Sequence, residues 1–200
     1  MSTMRGWAVL AVVLWALVGC ATQVARVGAD EVHDLSGRWN DTDSRLVSEA
    51  MIEEMLSRPW IDQHLRNNRG ERPTVLVGEV RNLGHEHINT RTFVNDIERA
   101  ALNSGRVRFV ATAAEREAIR DERAEQDLHA REDTRKPMGQ ELGADYLLTG
   151  TVNTIVDVEG RNEVAYYQID LALTSLADNS RVWVGQKRIK KVIQRARFRS

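Results

Sequence analysis

The 200-residue chain has one cysteine, Cys20, and only three prolines. A lone cysteine excludes an intrachain disulfide and a thiolate metal site, so the fold must stand on its hydrophobic core. Excess charge of either sign is also missing. Lys and Arg number 28 against 29 Asp and Glu, for a net charge of −1, which gives no global pull toward nucleic acid. Aromatic residues make up 6% of the chain, too few to interleave with cations as a base-stacking platform. The longest apolar run, Trp7 to Val18, falls short of the roughly 17–25 residues that span a bilayer. Internal repeats and low-complexity tracts are absent as well. So are a nucleophile elbow, a G-x-G-x-x-G phosphate loop and a His-Glu-x-x-His zinc motif. No catalytic residue, metal ligand or cofactor is therefore expected.

What the N-terminus does hold is an ordered set of signals. Arg5 precedes the apolar run, and Leu17-Val18-Gly19-Cys20 closes it. A positive start, a run of about a dozen apolar residues and a small residue before the cut are the parts of a secretory signal. Leu17 three residues before the cysteine resembles the lipobox of bacterial lipoproteins. That resemblance implies a diacylglyceryl group on the Cys20 sulfur, cleavage after residue 19 and an acyl chain such as palmitate on the new amino terminus. Two or more chains hold a protein stably on its membrane. Ala21, in place of the aspartate that retains such proteins elsewhere, implies the outer membrane with the domain facing the periplasm. The alternatives are a soluble secreted protein with a free Cys20, or a transmembrane anchor.

Residues 20–35 are small or polar without periodicity and read as a tether. The fifteen from Ala21 to Leu35 reach about 50 Å fully extended but average only ~20–25 Å as a coil. The rest of the chain, 36–200, reads as one periplasmic domain of ordinary size. Residues 36–44 carry helix N-cap types, after which Leu46, Val47, Ala50, Met51, Met55 and Leu56 recur at helical spacing. Pro59 suits the first turn of a second short helix, Trp60 to about Asn67. Pro73 to Val80 is apolar and β-branched, as in a strand covered on both faces. A loop from Arg81 to Asn89 leads to a helix opened by Thr90 or Arg91, with Phe93, Val94, Ile97, Ala101 and Leu102 on its packed face. Ser104-Gly105 ends it, and Val107 to Val110 makes a short strand.

Thr112 caps a long charged helix from Ala113 to roughly His129, either a solvated surface helix or a partner-facing one. Pro137 to Leu142 reads as a further short helix. Three strands follow. Even positions from Tyr146 to Val156 and odd positions from Tyr167 to Leu173 form apolar faces, and Val182 to about Val192 returns as the third strand. Asp157–Asn162 and Asp178-Asn179-Ser180 supply the turns. The fold class is α+β, with a mixed or antiparallel sheet of about four to five strands flanked by helices.

Two surface features are candidates for contact. His85-Glu86-His87 lies in the loop, too sparse for a metal site but placed where a partner can reach it. From Arg181 to Arg199 the chain has eight cations and no acid. Lys187, Arg188 and Lys190 are central to it. These cations either guard an exposed sheet edge or bind something anionic.

Several blocks resemble one family. They are Ser36-Gly37-Arg38-Trp39-Asn40-Asp41-Thr42-Asp43-Ser44-Arg45, Arg58-Pro59-Trp60, Pro73-Thr74-Val75-Leu76-Val77-Gly78, Glu86-His87-Ile88-Asn89-Thr90 and Gly143-Ala144-Asp145-Tyr146-Leu147-Leu148-Thr149-Gly150. Together they are similar to the LpoB-type penicillin-binding protein activators. The resemblance implies an outer-membrane lipoprotein, a monomer and not an enzyme, that binds a class A penicillin-binding protein and stimulates its peptidoglycan synthesis. It also implies a small α+β fold similar to the N-terminal domain of the Tol-system β-propeller protein. The chain departs from that family in its short, proline-free tether. The rival readings are a structural or assembly lipoprotein of a secretion or surface-fibre system and, more distantly, a cell-wall or lipid-acting enzyme.

Overall fold

A computed structural model describes residues 25–28, 31–136, 139 and 141–194. The leader, Cys20 and the last six residues (Arg195, Arg197, Phe198 and Arg199 among them) lie outside the described residues. The chain divides into two units, Met1–Val32 and His33–Ser200. Of the first, the described residues form no regular element, and Glu31 N donates to Gly28 O.

In the second unit, helix α1 (Asp41–Ser57) starts at Asn40 with a capping box. The Asn40 side chain accepts from Asp43 N, and the Asp43 carboxylate accepts from Asn40 N. Pro59, which lacks the amide proton a helix start leaves unused, turns the chain into α2 (Trp60–Asn67). Strand β1 (Thr74–Asn82), helix α3 (Arg91–Asn103) and strand β2 (Arg108–Val110) form a parallel crossover unit. Helix α4 (Ala113–His129) follows, capped by Thr112 and Glu115. The meander β3 (Tyr146–Glu159), β4 (Asn162–Ser175) and β5 (Arg181–Gln194) completes one five-stranded sheet of order β2-β1-β3-β4-β5. β1 runs parallel to β2 and β3, whereas β3, β4 and β5 are antiparallel. The α+β expectation with a mixed sheet holds.

The core lies on one face. Tyr167, Ile169, Leu171 and Leu173 of β4 and Leu148 and Val152 of β3 are buried, and they join Val47, Met51, Met55, Trp60, Ile61, Phe93 and Ile97 of α1, α2 and α3 in one cluster. Odd residues of β4 and even ones of β3 therefore point at the helices, as period-2 alternation requires. The exposed residues of the opposite face include Ile155, Val184 and Val192.

Four expectations are corrected. β1 is not covered on both faces: Val75 and Val80 are buried, while Leu76 and Val77 are only half-buried. A register shift between Val77 and Val80 inserts one extra residue against β3, which turns Val80 back to the helix side. Leu102 is 52% exposed, because Ala101 already fills the last packed position of α3. Gly139, Glu141 and Leu142 are not helical, and Pro137, Met138 and Gln140 of that segment lie outside the described residues. Its anchor is instead a two-pronged ion pair from Arg120 of α4 to Glu141, at 2.7 and 2.9 Å. The predicted loop between the first two strands of the meander also shrinks to Gly160-Arg161. Gly160 has φ +60, as the first position of such a two-residue hairpin demands.

Gly185 gives a direct test of the packing between β5 and α1. A methyl group there would lie 2.3 Å from Trp183 Cζ2 and 2.9 Å from Met51 Sδ, and Trp183 is buried. Gly185→Ala should cost about 1–3 kcal/mol of stability by overpacking, read as a lower urea midpoint. Gly143→Ala, with nothing within 4 Å, should change it by no more than ~0.5 kcal/mol.

Candidate functional site

The Ser36–Arg45 and Glu86–Thr90 blocks, 40 or more residues apart in sequence, meet where β3, β4 and β5 run past α1. Glu86 joins them. Its Oε1 accepts from the Trp39 backbone N–H at 2.7 Å, and its Oε2 accepts from the Tyr167 hydroxyl at 2.7 Å. Asn82 Nδ2 donates to the Glu86 carbonyl at 2.6 Å, which holds the loop turn. The Trp39 ring stands edge-on to Tyr167 at 5.4 Å and tilted to Phe93 at 6.2 Å, and its Nε1 donates to Ser44 Oγ at 2.9 Å. Both rings are thereby fixed by packing and by hydrogen bonds at once.

A second tie runs from the edge of the sheet to the start of α1. Lys191 Nζ pairs with Asp43 Oδ2 at 2.5 Å and donates to Arg38 O at 2.9 Å. The Asp43 side chain is 3% exposed and that of Lys191 14%. The carboxylate that closes the helix cap thus also takes up a cation from β5. Removing one member of so buried a pair would leave the other charge stranded.

The expected contact residues divide between the two faces of the sheet. His85 and His87 are exposed on the helix side, where they border a cavity of about 280 Å³ also lined by Arg38, Glu86, Thr154 and Tyr167. Lys187 pairs with buried Ile169 across the ladder, so it too faces the helix side, half-buried. Arg188 and Lys190 pair with Gln168 and Tyr166 and are exposed on the open face. Arg181, Lys187, Arg188 and Lys190 have no acidic partner among the described residues. The structure therefore joins Arg188 and Lys190 in one surface and keeps His85 and His87 apart from them.

Burial, reinforced by the hydrogen bond to Glu86, pushes the Tyr167 phenol far above its ordinary 10.0, so it stays a proton donor to that carboxylate. A larger cleft of about 460 Å³ opens between the starts of α3 and α4, lined by Glu79, Arg91, Glu98, Thr112 and Glu115. Burial and then the nearby Glu115 charge raise the Glu98 pKa, while hydrogen bonds from Thr112 lower that of Glu115. Among the described residues no three His, Cys, Asp or Glu side chains are placed to hold a metal ion. No helix among them is long and apolar enough to cross a membrane.

Sequence reasoning missed Glu86 and Lys191 as structural ties. Glu86 stood between two histidines that drew the eye, and Lys191 counted as one of eight cations. The available signal was their place in or beside the motif blocks. At Tyr167 the sign of the pH effect follows from the raised pKa. Above pH ~10 an unfolded tyrosine loses its proton while Tyr167 keeps it, so unfolding gains as pH rises. Tyr167→Phe should cost about 1–3 kcal/mol near pH 7 by leaving Glu86 underbonded. It should also flatten the loss of stability above pH ~10, measured by urea unfolding across pH.

A comparison with protein-family models matches the peptidoglycan-synthase activator LpoB over residues 43–189. A comparison with the curated proteins returns no match. Among solved structures, the chain is similar to the LpoB C-terminal domain from Escherichia coli at 16% identity and a TM-score of 0.36, covering 74% of this chain and 98% of that one. The Salmonella enterica LpoB C-terminal domain matches at 16% identity and TM-score 0.36, over 71% of this chain and 96% of that one. A lipoprotein from Neisseria meningitidis matches at 18% identity and TM-score 0.39, over 60% and 83%. The family match takes in nearly all of α1 through most of β5, with Trp39, Lys190 and Lys191 just outside its ends, and on it the chain belongs to the LpoB family of peptidoglycan-synthase activators.

Proposed function

We propose that this chain is a lipoprotein, held at the periplasmic face of the outer membrane through Cys20, that binds a class A penicillin-binding protein and activates it. The observation that carries the reading is the family match, which runs from α1 into β5. The lipobox at Leu17-Val18-Gly19-Cys20 supports the anchor. As an activator rather than an enzyme, the protein works by preferring one state of its partner. A ligand that bound both states of the synthase equally would shift nothing, so the contact must be tighter to the active conformation. A tenfold shift needs only about 1.4 kcal/mol of preference.

The contact surface is assigned to β5, because Arg181, Lys187, Arg188 and Lys190 hold their charges with no acid to meet them. Lys191, bound to Asp43, belongs to the fold and not to this surface. His85 and His87 are the second candidate contact, on the helix side, across the sheet from Arg188 and Lys190.

The test is glycan polymerisation by a purified class A penicillin-binding protein with and without the full chain. Lys187→Glu, Arg188→Glu and Lys190→Glu together should reduce stimulation at least tenfold. The circular dichroism spectrum should not change, since none of the three is in an ion pair among the described residues. Undiminished stimulation would move the contact off β5.

A further inference from the structure

The free edge of the sheet carries more information than its charge. Sheet order places β5 at one rim and the three-residue β2 at the other. β5 spans 14 residues, and all but Val182 pair with β4. Every second residue of such a strand turns its N–H and C=O outward. Among the described residues, no backbone hydrogen bond from outside the sheet reaches those groups. Proteins usually blunt so long an edge with proline, a covering segment or a short strand. Arg181–Gln194 has no proline; on its helix side lie α1, where Trp183 and Gly185 are buried, and residues 34–38, which pack on Lys191 and Ile193.

Charge says what can occupy the edge. From Arg181 to Gln194 there are five cations and no acid, and four of the five have no acidic partner among the described residues. Pairing with the β5 of a second copy would set cation against cation, which destabilises directly opposed positions. An acidic strand would meet them instead. On the open face the exposed residues run Val184, Gln186, Arg188, Lys190, Val192, so the side chains alternate from apolar through basic and back to apolar.

We propose that the outer edge of β5 is a strand-addition site for an extended acidic segment of the partner protein, with acids at alternate positions against Arg188 and Lys190 and apolar residues beside Val184 and Val192. Main-chain hydrogen bonds supply the affinity and the alternate side chains the specificity. The assignment rests on the reading that the chain docks on another protein through β5, and it specifies the mode of docking. Lysines that merely guard an edge would give charge attraction without backbone pairing.

The probe is a blocked, fluorescent nonapeptide, Val-Thr-Thr-Thr-Glu-Thr-Glu-Thr-Val, titrated against the full chain in detergent and read by anisotropy. Two further versions are N-methylated at one or the other set of alternate residues. An added strand turns one set of amides to β5 and the other to solvent. Saturable binding is therefore expected for the parent and for one methylated version, with at least tenfold loss for the other. A Lys-for-Glu peptide, and the chain with Arg188→Glu and Lys190→Glu, should each lose tenfold or more. Amide exchange along Arg181–Gln194 should slow when the parent peptide is bound. Failure of the parent to bind, equal binding of both methylated versions, or indifference to the charge reversal would each overturn the proposal. Peptide binding by a chain that fails to stimulate the synthase would count against the activator reading alone and leave the strand site standing.

Discussion

The structure depends on one carboxylate. Glu86, in a loop between β1 and α3, takes a backbone N–H from Trp39 and a hydroxyl from Tyr167, and so fastens the segment before α1 to the middle of the sheet. Around it Trp39 packs on Phe93 and Tyr167, and the α1 cap draws in Lys191 from β5. A half-buried carboxylate with two charge-assisted hydrogen bonds is also a position that tolerates little substitution, because each partner left alone is a buried unmet donor.

This arrangement separates the work of the basic strand into two parts. Lys191 neutralises Asp43 inside the fold, and its neighbours on either side point outward with no such duty. Adjacent residues of a strand face opposite ways, so Lys190 and Lys191 have opposite roles despite being chemically identical. Charge counting alone cannot distinguish them. Strand parity can.

Much of the fold was legible. The odd positions Tyr167, Ile169, Leu171 and Leu173 are buried as their spacing predicts, and Thr112 caps α4 where expected. α4 buries no residue, in keeping with its lack of an apolar stripe. Local signals of this kind depend on neighbours in sequence. The features that were not legible depend on distant partners. The bulge in β1 reflects a register set by β3, and the extended segment after α4 is held by Arg120, more than a dozen residues back. Likewise nothing local marks Glu86 as the tie between Trp39 and Tyr167. Of the candidate contact residues, the sequence placed Lys187, Arg188 and Lys190 on one strand but not which of its cations lack an acidic partner among the described residues, nor that His85 and His87 lie across the sheet from Arg188 and Lys190.

The central claim is that this domain presents the rim of β5 to a penicillin-binding protein. A photoreactive residue at position 186, between Val184 and Arg188 on the open face, tests it in intact cells of the source bacterium. After irradiation and purification of the full-length chain, the covalently attached protein is identified by mass spectrometry. The account predicts a class A penicillin-binding protein as the major adduct. Adducts with secretion or surface-fibre components and no synthase would contradict it.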